Sequence, residues 1–300
     1  MKLNVFKYYL QKVNQGKFNC TAKARGVDKM PTGRKYALSS ADAAPNTAPI
    51  LLKGDVSSNI IRAAALGYQG IEVHMRETAR LEYDEIKKTS DDCGVAIAAV
   101  VTGRLYTQGR ASLTDDRPYV TDSAMKGMRT YISIAAHLGS DIIIGWAKGK
   151  VPEGACRELY LERLAQNLET IGHQAKEQGV KVFLEVINRY ETNIFTTAKE
   201  TVEFIEAWGI PNSYVHLDTF HMNIDETDPL EAIRLCGKKL GYFHLADNTR
   251  CYPGSGTLNF GSYLSVLDEI GYDGYLSVEC LPQPDGDTAA KMALEHLRQL

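Results

Sequence analysis

Four stretches decide the fold: VFLEVIN (182–188), YVHLD (214–218), YFHLAD (242–247) and LSVEC (276–280). Each is a short apolar run broken by an ionisable residue, namely Glu185, Asp218, His244 and Glu279. Runs of this length, too short for helices and apolar at most other positions, suit strands buried on both faces, as in a parallel sheet. The segments around them have a helical period. Arg157–Glu177 places Leu159, Leu161, Leu164, Leu168 and Ile171 close to a 3.6-residue repeat, and Pro229–Cys236, Phe260–Ile270 and Thr288–Leu300 behave likewise.

The alternation continues upstream. Lys35–Ser39, Gly70–Met75, Val95–Gly103 and Asp141–Ala147 join Lys181–Asn188, Tyr214–Asp218, Leu240–Ala246 and Tyr275–Cys280 to give eight runs. Gly-Tyr-Gln-Gly (67–70) and Gly-Tyr-Asp-Gly (271–274) mark helix-to-strand turns. Eight strands with intervening helices predict an α/β fold, a closed (β/α)₈ TIM barrel. An open doubly wound sheet would want a glycine-rich fingerprint after its first strand, and Ser-Ser-Ala-Asp-Ala-Ala (39–44) is not one. The organisation expected is one barrel domain over 35–300 behind an extension over 1–34. That extension holds eight Lys or Arg against the single acid Asp28 and reads as a basic arm, free or docked on a neighbouring subunit.

The totals fit a cytoplasmic enzyme. The chain has 300 residues, 44% of them hydrophobic, and a formal net charge of −3. That charge gives no reason to expect a nucleic-acid or anionic-membrane partner, and no run approaches the length of a membrane span. The six cysteines form no CxxC pair, which suits reduced thiols.

Each of the four ionisable residues has an ordinary reading alone. Asp218 could cap the following helix, His244 could be a satisfied core histidine, and a strand Glu could pair with a basic residue. Together they are harder to explain. Three carboxylates entering one barrel mouth repel one another, and burying each unpaired would cost several kcal/mol. The strand ends offer no Lys, and Arg250 and Arg189 alone would not balance the set. A divalent metal would, and three carboxylates with one imidazole suit Mn²⁺, Mg²⁺ or Co²⁺, with Zn²⁺ an alternative.

LEVINRYE (184–191), LDTFHMNIDE (217–226), HLADNTRCYPGSGTLNF (244–260) and SVECLPQP (277–284) resemble the sugar epimerases of the D-tagatose 3-epimerase and D-psicose 3-epimerase type, within the xylose-isomerase-like barrel superfamily. The resemblance runs from about residue 35 to the C-terminus. SVECLP, LLKGD (51–55) and TGRLY (102–106) also resemble a subgroup acting on keto-sugar acids, such as 5-keto-L-gluconate epimerase. The family resemblance implies a metal held by Glu185, Asp218, His244 and Glu279, with Mn²⁺ the expected ion. It implies substrate contacts from Glu191, His221 and Arg250, and homodimers or homotetramers are usual in the family.

The expected reaction inverts carbon three of an unphosphorylated keto-sugar or keto-sugar acid through a metal-stabilised enediolate, with Glu185 and Glu279 as the two acid/base groups on opposite faces. An aldose–ketose isomerase on the same scaffold, or a sugar-binding protein without chemistry, are the alternatives. Arg104 is the cation that a keto-acid substrate would need. Tyr106 and Trp146 either wall the pocket or pack, and Glu191 could instead serve a helix N-terminus. Pro-Gly-Ser-Gly (253–256) is either a phosphate-binding loop or a tight turn.

Overall fold

The computed structural model describes residues 33–75, 78 and 82–300. Nearly all of the basic extension therefore lies outside the described residues. Among the described residues, eight barrel strands alternate with eight principal helices. They are β1 (Lys35–Ala41), β2 (Gly70–His74), β3 (Ala96–Val101), β4 (Ile142–Ile144), β5 (Val182–Glu185), β6 (Ser213–Asp218), β7 (Leu240–Leu245) and β8 (Tyr275–Val278). The helices are α1 (Val56–Leu66), α2 (Tyr83–Cys93), α3 (Pro118–Leu138), α4 (Arg157–Glu177), α5 (Ala198–Trp208), α6 (Pro229–Cys236), α7 (Phe260–Glu269) and α8 (Gly286–Leu297).

Each strand pairs in parallel with the next, and β1 closes the ring on β8 through Lys35↔Tyr275 to Leu38↔Val278. This is a TIM barrel, as the alternation predicts. Each expected run contains an observed strand, and the differences lie at the ends. The Asp141–Ala147 run keeps only three strand residues, because Gly145 turns the chain into a 3₁₀ turn at Trp146–Lys148. Among the described residues, four further short elements were not anticipated: a two-residue pairing of Leu52–Lys53 on β1, single-turn or two-turn helices at Arg104–Thr107 and Thr219–Asp225, and a 3₁₀ turn at Gly237–Lys239.

The turns follow local chemistry. Gly67, Gly94, Gly139 and Gly209 end α1, α2, α3 and α5 in the left-handed conformation that glycine adopts without a Cβ penalty. Asp55, Thr197, Asp228, Asn259 and Asp285 cap helix N-termini by accepting backbone N–H groups.

The barrel interior is filled rather than hollow. Ala37, Ala98, Ala99, Val101, Ile143, Phe183 and Tyr242 form one buried cluster, with Tyr214 and Tyr275 packed against it. Phe183 stacks on Tyr242 with ring centroids 5.3 Å apart. Aromatics this large need small neighbours. A Cβ at Gly70 would lie 2.7 Å from the Tyr275 ring and 3.0 Å from Ala37 Cβ. The replacement Gly70→Val should therefore lower the unfolding free energy by about 1–3 kcal/mol through overpacking. Urea denaturation would show this as a lower midpoint with an unchanged slope, and an unchanged midpoint would contradict the packing described.

Candidate metal centre and substrate pocket

The strand register brings the four ionisable residues together. Asp218 at the end of β6 pairs with His244 on β7, and Glu185 closes β5 opposite His216. Glu279 follows β8 directly. One ligand atom from each of Glu185, Asp218, His244 and Glu279 lies within 4.8 Å of the others. His244 Nδ1 faces all three carboxylates, at 3.5 Å from Glu279 Oε2, 3.6 Å from Asp218 Oδ2 and 4.0 Å from Glu185 Oε1. That nitrogen is buried and makes no hydrogen bond. A buried imidazole nitrogen surrounded by carboxylate oxygens, with no bond of its own, fits a cation among them.

Asp218 does two jobs with its two oxygens. Oδ1 accepts the Phe220 N–H at 2.8 Å and caps the short Thr219–Asp225 helix, so the ordinary reading of this residue holds. Oδ2 is left for His244 and for Arg250, whose Nη1 donates to it at 2.7 Å. Arg250 also donates through Nη2 to Glu279 Oε2, and its guanidinium stacks 4.7 Å from the Phe220 ring centroid. Arg189 is not available to this cluster, being engaged with the Asp225 carboxylate at 2.6 Å.

Two groups support Glu185. Gly145 leaves room for its carboxylate, since a Cβ there would collide with Oε2. Lys148 is fully buried and donates from Nζ to the Glu185 carbonyl at 3.0 Å and to the Gly145 carbonyl at 3.3 Å. Burial lowers the Lys148 ammonium to about 8, against the opposing pull of Glu185.

Electrostatics separate the carboxylates. Burial, reinforced by the charge on Glu279, pushes Glu185 up to about 8. Burial acts on Glu279 in the same direction, but His244 and Arg250 outweigh it and hold that carboxyl below its ordinary value. Burial also opposes ionisation of Asp218, yet Arg250 and His221 keep it well below the usual range. His244 loses to burial but gains more from Glu72 and Glu279, so its imidazolium persists well above the usual pH.

The residues expected to touch substrate divide into two groups. His221, Asn188 and Glu191 form a chain: Asn188 Nδ2 lies 2.7 Å from His221 Nδ1 and donates to Glu191 Oε1 at 3.0 Å. His221 Nε2 reaches 4.0 Å from Asp218 Oδ2, and burial brings its imidazole down to about 3, so it is neutral. Glu191, Tyr106 and Trp146 line a cleft of about 940 Å³ that also receives Arg110 and Lys150. Arg104, by contrast, is engaged at the loop after β1, with the Asp42 carboxylate at 3.3 Å and the Ala43 carbonyl. Pro-Gly-Ser-Gly is a turn. The Gly254, Gly256 and Leu258 N–H groups all donate to the buried Asp247 carboxylate, which leaves few donors for phosphate.

Sequence reasoning missed Glu72, His74, Lys148, Asn188 and His216. Glu72 carried a readable signal, a charged residue inside the apolar run Gly70–Met75, the same feature that marks Glu185, Asp218, His244 and Glu279. Lys148 lies in a Lys-Gly-Lys stretch that reads as surface.

A family model described as a xylose isomerase-like TIM barrel matches residues 60–300. The chain belongs to that family. An L-ribulose 3-epimerase of Methylomonas sp. (strain DH-1) is 30% identical over 223 residues, covering 73% of this chain and 76% of the relative. A ketose 3-epimerase of Arthrobacter globiformis is 28% identical over 216 residues, covering 69% and 71%. The crystal structure of a 3-keto-D-glucoside 4-epimerase from E. coli superimposes with a TM-score of 0.77 at 21% identity, over 89% of this chain and 100% of the other, a likeness of fold. Such relatives place the chain among the epimerases of the isomerase class. Among the described residues, no helix is long and apolar enough to cross a membrane.

At neutral pH the protonated His244 imidazole and Glu185 carboxyl both compete with a cation for the cluster. Both groups hold their protons to higher pH than usual, so affinity should weaken as pH falls and strengthen as it rises. Calorimetric titration with Mn²⁺ between about pH 6 and 8.5 should show rising affinity, with protons released on binding in buffers of different ionisation enthalpy. Affinity independent of pH would contradict this arrangement.

Proposed function

We propose that the protein is a metal-dependent ketose 3-epimerase, inverting the carbon next to the carbonyl of an unphosphorylated keto-sugar. The observation that carries this is the meeting of Glu185, Asp218, His244 and Glu279 donor atoms around an unpartnered His244 Nδ1. These four residues would hold the ion, with Mn²⁺ favoured by a mainly oxygen donor set. When bound, it supplies Lewis-acid stabilisation of the negative charge that develops on the carbonyl and neighbouring hydroxyl oxygens as the C–H bond breaks.

The chain's own groups move the proton. Inversion needs two groups on opposite faces of a flattened carbon, one to take a proton and one to return another. Glu185 and Glu279 stand on strands separated by β6 and β7, so a sugar lying across the mouth passes between them. Their environments push them apart before any ion binds: burial favours the neutral carboxyl at Glu185, whereas His244 and Arg250 favour the ionised carboxylate at Glu279. Titratable pairs separated in this way mark an acid and a base. Glu279 takes the proton from carbon three, and Glu185 returns a proton to the opposite face. The next turnover runs in the reverse sense, or solvent resets both protons.

Arg250, His221 and Glu191 hold substrate oxygens in this reading. Arg250 is next to both Asp218 and Glu279, and neutral His221 can donate or accept a hydrogen bond without adding charge. The Asn188 link fixes the distance between His221 and Glu191, and so the length of sugar that fits. A neutral ketose is favoured over a keto-acid, because Arg104, the cation expected to read a carboxylate, is already committed to Asp42 and Ala43.

The test is incubation with L-ribulose, D-psicose and D-tagatose in D₂O with Mn²⁺. Epimerisation with solvent deuterium at carbon three is expected, and an aldose product with carbon three unlabelled would instead indicate an aldose–ketose isomerase. The replacement Glu279→Gln should reduce turnover about 10²–10⁴-fold while leaving the circular dichroism spectrum unchanged. Wild-type turnover in that variant would remove Glu279 from the acid/base role.

A further inference from the structure

We infer that Glu72 is a positioning residue for the metal centre: its carboxylate fixes the tautomer of His244 and aims Nδ1 at the three ligand carboxylates. This rests on the reading of Glu185, Asp218, His244 and Glu279 as metal ligands. Glu72 lies on β2, three strands around the barrel from β7. Its side chain is wholly buried. Oε1 accepts from the Tyr242 hydroxyl at 2.9 Å and lies 2.9 Å from His244 Nε2. No Lys or Arg pairs with it among the described residues.

The chemistry of the donor fixes the geometry. An ionised carboxylate only accepts hydrogen bonds, so Nε2 must carry the hydrogen. A neutral imidazole then has its lone pair on Nδ1, the atom turned toward Glu185, Asp218 and Glu279. A carboxylate behind a ligating imidazole sets ring orientation and raises the basicity of the coordinating nitrogen. Tyr242 contributes by holding Oε1 from a second direction, which restricts the carboxylate to one rotamer.

The second oxygen of Glu72 faces His74. Its Oε2 is buried without a hydrogen bond, 3.8 Å from His74 Nε2. His74 Nε2 in turn lies 4.0 Å from Glu279 Oε1. One carboxylate thus spans the distance from the His244 ligand to the wall beside Glu279. Glu72, His74 and Glu279 also offer three donor atoms within 4.8 Å of one another, the arrangement that a second ion would require. The short contact of Glu72 to His244 Nε2 favours the positioning role, because that oxygen is already committed to holding the imidazole.

The experiment is Mn²⁺ binding by calorimetry on the full chain, wild type against Glu72→Gln, with long-range ¹H–¹⁵N spectra of the Zn²⁺-loaded proteins to read the His244 tautomer. One equivalent of Mn²⁺ is expected for the wild type. In Glu72→Gln the affinity should fall about 10–100-fold, and the single Nε2-protonated signal of His244 should be lost or split. A merely structural Glu72 would lower the melting temperature without moving either readout, and unchanged affinity and tautomer would overturn the inference. Glu72→Asp, which keeps the charge and shortens the reach, should show the same loss and decides the matter if Glu72→Gln does not fold. A second equivalent of Mn²⁺ in the wild type, absent in Glu72→Gln, would make Glu72 a ligand and overturn the positioning role. A wild type that binds no Mn²⁺ would defeat the metal reading itself, whereas equal binding by both proteins would defeat only the role of Glu72.

Discussion

Four carboxylates share the interior of this barrel at its C-terminal end: Glu72, Glu185, Asp218 and Glu279, all buried. Taking like charges out of water together is among the most costly arrangements a fold can contain, and a buried charge left without its opposite partner costs about 3–5 kcal/mol. The surroundings answer that cost directly. Arg250 spans Asp218 and Glu279, Lys148 sits under Glu185, and His244 stands between Glu72 and the other three. With a neutral His244, one divalent ion added to Arg250 and Lys148 balances the four carboxylates in formal charge. The same ion would give His244 Nδ1 the partner that the described residues do not supply.

Much of the nearby backbone is arranged to hold this cluster. The parallel register puts Asp218 beside His244 and His244 beside Ser277, so neighbouring strands deliver donors side by side. Gly145 keeps β4 from crowding Glu185. Asp218 ends its strand and begins the helix carrying His221 in one hydrogen-bonded step. Beyond β7, the Asp247 carboxylate gathers the 254–258 loop through three backbone N–H groups, and the Asp247 carbonyl accepts from Arg250 N. Arg250 adopts a left-handed φ of 62°, an uncommon conformation for a residue with a side chain and one that occurs where structure is fixed for function.

The barrel was legible because its signal is local. A buried strand between helices shows as a short apolar run, and each of the eight was found, with strand ends misjudged where turns such as Gly145–Lys148 cut them short. The clustering residues Glu185, Asp218, His244 and Glu279 were legible because a charge in an apolar run is conspicuous. Glu72 carried the same mark in GIEVH but escaped notice, since its meaning depends on His244, 172 residues away across the barrel. Lys148 could not be recognised as buried, because a Lys-Gly-Lys stretch looks solvated until the turn after β4 is known. Arg104 has partners that spacing does not reveal, the Asp42 carboxylate and the Ala43 carbonyl on the loop after β1. Sequence spacing shows which residues are near a strand end, whereas their pairings depend on loops packed from distant parts of the chain.

The most direct test is a crystal structure of the Mn²⁺-soaked protein with anomalous scattering recorded near the manganese edge. The account predicts a single strong peak about 2–2.5 Å from Glu185, Asp218 and Glu279 oxygens and from His244 Nδ1, with His244 Nε2 still on Glu72. No peak in the barrel mouth, or a peak that leaves out two or more of these four side chains, would contradict it.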